Sequence, residues 1–376
     1  MKEYNLAILG CGKVANLHAQ AIANLPNASL VAVWSDIKFW DSAEKFAEKH
    51  RVRLYSDIKT MIQENNIDLV IVCNPHPFHK TVTIEAARAG ANVLVEKPLA
   101  ATLEDCDIMI NECHNAGVRL GVVSQRRFYS PVQRARKAID AGKIGLPAFG
   151  TINMLGWRDK PYYDLDPWRG TWEMEGGGVL VNQAPHQLDI FLWYMGEVDE
   201  VYGLWRNLNH PYIEVEDTAL AIVKFKSGAI GNIIVSNSEK PGIYSKVQVH
   251  GTNGASVGVQ TDGGAMFVAG MSSVIEPPMN DLWTVPGEEH LLEKWVREDH
   301  DLFNRIDPII YYMEKQTADF ILALDENREP LISGVEGRRT VELFTAIYRS
   351  TRDNKPVKFP LLPENGTDMD GRRKQQ

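Results

Sequence analysis

Cysteine is scarce in this 376-residue chain: Cys11, Cys73, Cys106 and Cys113 are all it contains. No two stand in C-x-x-C spacing, which argues against a disulfide framework or a zinc site and for reduced thiols in a cytosolic protein. Basic charge is also in short supply, with 40 Lys and Arg against 49 Asp and Glu and a net charge of -9. No basic field gathers phosphates, so nucleic acid is not an expected partner. No apolar run reaches membrane-spanning length, and the opening MKEYNLAILGCG is too short in apolar residues for a signal peptide. The expectation is a cytoplasmic protein with no membrane partner. Internal repeats are missing too. What remains is 44% hydrophobic and 24% charged, an ordinary globular balance, at a length that suggests two domains.

The first third alternates short apolar runs (NLAILG, SLVAVWSD, DLVIVCNP, NVLVEKP, VRLGVVSQ) with stretches of helical spacing. That alternation predicts a parallel sheet covered on both faces, a Rossmann-type α/β domain over residues 1–124. The alternation stops near SQRRFYSP. From Val201 to Val268 the pattern is mostly strands, with turn signals such as KSG and TNG that suggest antiparallel pairing. Residues 125–363 are therefore expected to form an α+β domain on a large, mostly antiparallel sheet. The tail 364–376, ENGTDMDGRRKQQ, is polar and expected to be disordered.

AILGCGKVA places Gly10 and Gly12 between a strand and a helix, with Lys13 and Val14 opening that helix. Gly10 permits a tight turn. Gly12 lets the backbone approach a pyrophosphate at the helix N-terminus, and Ala15 stands at the third glycine position. Asp36 ends the second strand, where a carboxylate accepts hydrogen bonds from ribose hydroxyls and repels a 2'-phosphate. The pattern points to NAD over NADP, with Lys38 nearby softening the preference. Asn74, Pro75 and His79 follow a third strand, Glu96, Lys97 and Pro98 a fourth, and Gln125 a fifth. The ends of parallel strands face the crevice where a dinucleotide lies, so these residues join the expected cofactor site. His76 and His79 in HPFH lack a third ligand at suitable spacing, and no metal is expected.

GCGKVA, NPHPFH, EKPLA, QRRF.SP and GGGVLVNQAPHQLD occur in this order. In this the chain resembles the glucose-fructose oxidoreductase / inositol dehydrogenase / rhizopine-catabolism family of NAD(P)-dependent oxidoreductases, over nearly its whole length. The resemblance implies a Rossmann domain, then an open sheet whose one face meets the cofactor while the other often serves oligomerisation, here as a dimer or tetramer. It implies catalytic roles for Lys97 and His186, with Lys97 touching substrate as well. It places Arg126 and Asp189 where sugar and polyol members contact substrate hydroxyls. Asn182 falls where inositol dehydrogenases have an aspartate.

A histidine titrates near neutrality and can take the proton of a secondary alcohol, while a neighbouring ammonium stabilises the alkoxide. Asn182 reads equally as an N-cap for a helix with Pro185 in its first turn, or as a polar site residue. The glycines 176 to 178 are expected to let the backbone approach substrate or nicotinamide. Tyr163, Trp168 and Arg169 offer an aromatic platform with a hydrogen-bonding group, as carbohydrate sites do, although such aromatics also serve as core. The reading is an NAD-dependent oxidoreductase acting on a secondary hydroxyl of a sugar, glycoside or cyclic polyol, with pyranose C3 the first choice. The alternatives are a glycosidase that retains NAD and oxidises transiently, and a non-catalytic nucleotide-sensing regulator.

Overall fold

Two kinds of strand pattern build two sheets. Leu69–Val72 (LVIV) is buried at every position, as expected where helices cover both faces. Thr218–Phe225 instead alternates buried and exposed residues, the pattern of a sheet with one covered face. The structure, a computed structural model, describes residues 2–240, 242, 245–262, 277–365 and 368–373. It divides into two compact units, residues 1–125 with 307–338, and residues 126–306 with 339–376. Neither unit is continuous in sequence.

The first unit contains β1 (Tyr4–Leu9), α1 (Lys13–Ala23), β2 (Ala28–Trp34), α2 (Trp40–His50), β3 (Arg53–Tyr55) and α3 (Ile58–Asn65). There follow β4 (Leu69–Val72), α4 (His79–Arg88), β5 (Asn92–Val95), α5 (Leu103–Asn115) and β6 (Leu120–Val122). The six strands pair in parallel in the order β3-β2-β1-β4-β5-β6. The order reverses between β1 and β4, the switch point at which doubly wound sheets bind nucleotides. Helix starts follow local capping chemistry: the Asp57 side chain accepts from the Thr60 N–H at α3, and Thr102 from the Asp105 N–H at α5.

Later in the chain, the helix Pro308–Asp325 belongs to this same unit, which the division at 124/125 into sequence-continuous domains did not separate. Its Phe320 and Ile321 share a core with Ala15, Ala19 and Ile22 of α1. Gln316 covers the edge of β6, accepting from the Ser124 N–H at 3.0 Å and donating to the Val122 carbonyl at 2.7 Å. The Ile332 carbonyl, which accepts from the Val122 N–H at 3.0 Å, covers the same edge with backbone.

The second unit contains α6 (Ser130–Asp140), β7 (Pro147–Leu155), α7 (Lys160–Asp164), α8 (Val179–Asn182) and α9 (Pro185–Met195). It continues with β8 (Val198–Arg206), β9 (Thr218–Phe225), β10 (Ile230–Ser236), β11 (Ser245–Gly251), β12 (Ser256–Asp262), β13 (Met279–Trp283) and α10 (Leu291–Phe303). The remaining elements in chain order are α11 (the Pro308–Asp325 helix of the first unit), α12 (Gly334–Asp353), which begins in the first unit and continues in the second, and β14 (Val357–Lys358). The sheet order is β13-β12-β11-β7-β10-β9-β8-β14, antiparallel throughout except for the β7–β10 pair. Val268, the end of the expected strand region, lies outside the described residues.

Helices lie close on the inner face of this sheet. A Cβ at Gly150 would sit 2.8 Å from Phe191 of α9, and one at Gly203 2.8 Å from Ile347 of α12. The outer face carries Phe149, Tyr202, Leu204, Leu220, Ile222 and Ile230, all exposed.

The tail is ordered where it is described, contrary to the expectation from its polarity. Asp368–Gly371 turns through left-handed backbone at Met369 (φ 50) and Asp370 (φ 59), and Arg372 is 1% exposed. Asp370 accepts from Arg349 at 2.6 Å, and the Arg372 guanidinium lies 4.7 Å over the Phe344 ring. Ion pairing and cation–π contacts hold a segment that has almost no hydrophobic side chains. No described helix is long and apolar enough to cross a membrane.

Candidate active site

In the first unit, the expected cofactor residues gather at the carboxyl ends of the parallel strands. Gly10 follows β1 with φ +92, a backbone that L side chains avoid, and a Cβ there would also meet Asn74 at 3.1 Å. A Cβ at Gly12 would meet no described protein atom within 4 Å, so the backbone of the turn stays open on that side. Lys13 and Val14 start α1. Asp36 follows β2, and its side chain accepts from the Lys38 N–H at 2.9 Å, which holds the carboxylate in one orientation.

Asn74 and Pro75 follow β4, Glu96 and Lys97 follow β5, and Gln125 follows β6. Lys97 is half-buried and joined to Pro98 by a cis peptide. His79 is fully buried. Its Nδ1 meets the Pro98 carbonyl at 3.0 Å and its Nε2 the Asn74 carbonyl at 2.8 Å, so it braces two loops from behind. Burial also lowers its pKa from the ordinary value. Glu96 takes His18 Nε2 on one oxygen at 2.8 Å and the Lys97 N–H on the other at 3.1 Å. Burial raises this carboxyl. The bond and charge of His18, together with Lys97, outweigh that and leave it below the ordinary carboxylate value. His18, unmarked by any motif, thus ties α1 to the Lys97 loop; helical spacing alone gave no sign of it.

In the second unit, His186 lies in the first turn of α9 behind Pro185 and is 7% exposed. Asn182 is not its cap: it ends α8, and Ala184 takes the position before α9 without a side-chain bond. The Asn182 Nδ2 donates instead to Glu175 Oε1. The glycine run is also explained within the chain. A Cβ at Gly177 would lie 2.3 Å from the Tyr348 hydroxyl, and one at Gly178 1.8 Å from the Glu216 carbonyl oxygen. The backbone there approaches Tyr348 and Glu216, where substrate or nicotinamide was expected. The Glu216 carboxylate accepts from the Gly178 and Leu180 N–H groups at 2.9 and 3.0 Å.

Asp189 is committed to Arg127. Both its oxygens are engaged, at 2.6 and 2.7 Å, in a pair that is almost wholly buried, and the guanidinium lies over Trp193. Arg126, half-buried, precedes this pair on the same turn. Tyr163 is buried among Tyr162, His210 and Tyr212. Arg169 lies 4.5 Å over the Trp168 ring and donates to the Tyr162 hydroxyl at 2.6 Å. Aromatic, arginine and amide groups are thus brought into one cluster, with Glu175 and Tyr162 as members that the motifs did not reveal; Arg127 holds Asp189 in a separate pair.

The residues of the first unit fit a dinucleotide. The turn at Gly12 is open, the helix N-terminus behind it suits a phosphate, and among the described residues nothing donates to the buried Asn74 Oδ1 or Gln125 Oε1. Those two acceptors, after β4 and β6, match ligand hydroxyl or amide donors. No group of three or more metal-binding side chains gathers among the described residues.

Residues 4–124 match the oxidoreductase family, NAD-binding Rossmann fold, and residues 132–257 match the GFO/IDH/MocA C-terminal domain. The myo-inositol 2-dehydrogenase of Thermotoga maritima is 32% identical over 254 residues, 66% of this chain and 73% of that protein. The scyllo-inositol 2-dehydrogenase (NAD(+)) of Bacillus subtilis is 30% identical over 261 residues, 67% and 73% of the two chains. Among solved structures, the WlbA dehydrogenase of Bordetella pertussis, in complex with NADH and UDP-GlcNAcA, superposes with TM-score 0.83 at 30% identity, covering 96% of this chain and 99% of that one. An open glycine turn at a sheet switch point, followed by a mostly antiparallel sheet carrying the His186 arm, therefore belongs to an NAD-dependent oxidoreductase of the GFO/IDH/MocA family.

Proposed function

We propose that this oxidoreductase acts on a secondary hydroxyl of a sugar, glycoside or cyclic polyol, at pyranose C3 by family analogy. The observation that carries the reading is the near-full-length likeness to a dehydrogenase held with NADH and UDP-GlcNAcA, joined by two inositol dehydrogenases. Bound NAD supplies the hydride acceptor. Gly10, Gly12, Lys13 and Val14 receive its phosphates and Asp36 its ribose, while Asn74, Pro75, Glu96, Lys97 and Gln125 line the nicotinamide end. His79 braces that end from behind.

His186 takes the hydroxyl proton, and the Lys97 ammonium stabilises the alkoxide as it forms. Arg126, Asn182, Tyr163, Trp168 and Arg169 orient the sugar, and Asp189 contributes through Arg127. The working form is a homo-oligomer, in which the apolar outer face of the sheet meets a second copy of the chain.

The test is NADH formation at 340 nm with a panel that includes myo-inositol, scyllo-inositol, levoglucosan, methyl glycosides and UDP-GlcNAcA. Turnover of a pyranose or cyclitol is expected. Glycoside cleavage without net NADH would replace this reading with the transient-oxidation glycosidase. NAD binding with no chemistry on any member would leave the nucleotide-sensing regulator.

A further inference from the structure

Asn182 belongs to a pair. Its Nδ2 donates to Glu175 Oε1, and Glu175 is 2% exposed, immediately before the glycine run. The second carboxylate oxygen accepts from the Gly170 N–H. Gly170 closes the stretch that carries Tyr163, Trp168 and Arg169. Arg169 turns back onto Tyr162, its guanidinium 4.4 Å from that ring, and Gln183 Nε2 donates to the Tyr162 hydroxyl at 2.8 Å. One buried carboxylate therefore joins the aromatic loop to the α8–α9 arm that carries His186.

We propose that Glu175 is a positioning residue of the dehydrogenase reading above: its carboxylate holds the Asn182 carboxamide and the Gly170 end of the aromatic loop, supplying at one remove the negative charge that an amide at position 182 lacks. The chemistry supports a built unit. A buried carboxylate is costly unless its lone pairs are satisfied, and here an amide N–H and a backbone N–H satisfy them. The position matters as well. An aspartate at 182 would stand within hydrogen-bonding distance of Glu175, and two carboxylates that close share one proton. Asn182 removes that conflict and leaves a single acidic group.

The charged and titratable groups facing Glu175 include Arg169, Tyr162, Tyr163 and Glu216. Burial pushes the Glu175 carboxyl up to about 7. The Gly170 N–H, Asn182 and Arg169 pull it down, and Glu216 adds repulsion. The pair thus changes charge in the range where a histidine base works.

The experiment compares wild type, Glu175→Gln, Asn182→Asp and the double variant Glu175→Gln/Asn182→Asp. Folding is checked by circular dichroism. kcat and KM are measured against pH with NAD and each of myo-inositol, levoglucosan and UDP-GlcNAcA as probe. Glu175→Gln should lower kcat about tenfold to a hundredfold, the scale of a small misplacement, with NAD affinity unchanged. The double variant returns a carboxylate to the pair and should recover part of the loss and the wild-type pH profile.

A second readout is independent of turnover. In protein labelled with ¹⁵N asparagine, the Asn182 carboxamide signal, identified by its loss in Asn182→Asp, should titrate near neutral pH and stop doing so in Glu175→Gln. An Asn182 signal indifferent to Glu175→Gln would overturn the proposal, as would a Glu175→Gln enzyme with wild-type kcat and pH profile. If wild type turns over no probe while the Asn182 signal still titrates through Glu175, the pair is supported and the dehydrogenase reading is what fails.

Discussion

The proposed function gives Asp36 the choice of cofactor, through one carboxylate held in place by its own turn. NAD should bind at least several-fold more tightly than NADP, and Asp36→Ala should narrow the gap; calorimetric titration of both cofactors checks this, and equal affinities in the wild type would refute it. Gly12→Ala separates folding from binding at another single residue. The added methyl meets no described protein atom, so the melting temperature should stay within a degree or two, yet NAD affinity should fall about tenfold or more because the methyl enters the open side of the turn. At the chemical step, Lys97→Ala should cost about a hundredfold or more in turnover, with a much smaller effect on cofactor binding. His186→Ala should remove one ionisation from the pH profile of kcat/KM along with most of the activity. Survival of both the rate and the profile would make His186 a core residue.

At the scale of elements, the His186 arm is held by buried charge. Burial pushes the Glu216 carboxyl up to about 7, against the bonds it accepts from the Leu180 and Gly178 N–H groups. An acid whose pKa is higher in the folded state binds its proton more tightly there. Its contribution to stability is fully present below the ordinary value of 4.5 and is lost as pH rises through about 7. Glutamine has no such loss. The stability advantage of wild type over Glu216→Gln should therefore shrink between about pH 5 and pH 8, measured by thermal melts at several pH values; a constant gap would mean that Glu216 is not so perturbed. The Arg127–Asp189 pair is a second anchor of this arm. Arg127→Met leaves a buried carboxylate without its partner and should cost about 3–5 kcal/mol in chemical denaturation.

At the scale of the whole molecule, the outer sheet face leads to an expectation about assembly. Leu220 and Ile222 are 46% and 59% exposed, with Tyr202 paired across from Ile222 and Leu204 across from Leu220. This apolar face is the surface that the proposed function places against a second copy of the chain. The double variant Leu220→Lys/Ile222→Lys should sediment as a smaller species than wild type while keeping its circular dichroism spectrum; wild type sedimenting as a monomer would remove the oligomer proposal. The tail reaches the glycine run from the other side, with Arg372 Nη1 3.4 Å from the Gly176 carbonyl and Met369 close to Gly176.

Much of the fold was legible because it is written in local patterns. Continuous apolar runs separated by helical spacing determined a parallel sheet, alternating runs determined a half-covered one, and G-x-G between a strand and a helix determined the phosphate turn. The placement of Gly10, Gly12, Asp36 and Lys97 after parallel strands and of His186 in the first turn of a helix was legible, because a motif sets a residue type at a known step of a known element; the roles of these residues are what the proposed function assigns. Other features arise only when distant segments meet. Nothing in the spacing of Asn182 announces Glu175, and nothing in GGG announces Tyr348 and Glu216, which approach it from elsewhere in the chain. His18 reads as one polar residue in a helix until it meets Glu96. The polar tail reads as disordered until Arg349 and Phe344 supply its partners. Periodicity and capping act over a few residues and are carried by the sequence itself. The pairing of buried charges depends on which surfaces tertiary packing brings together, and only the folded chain decides it.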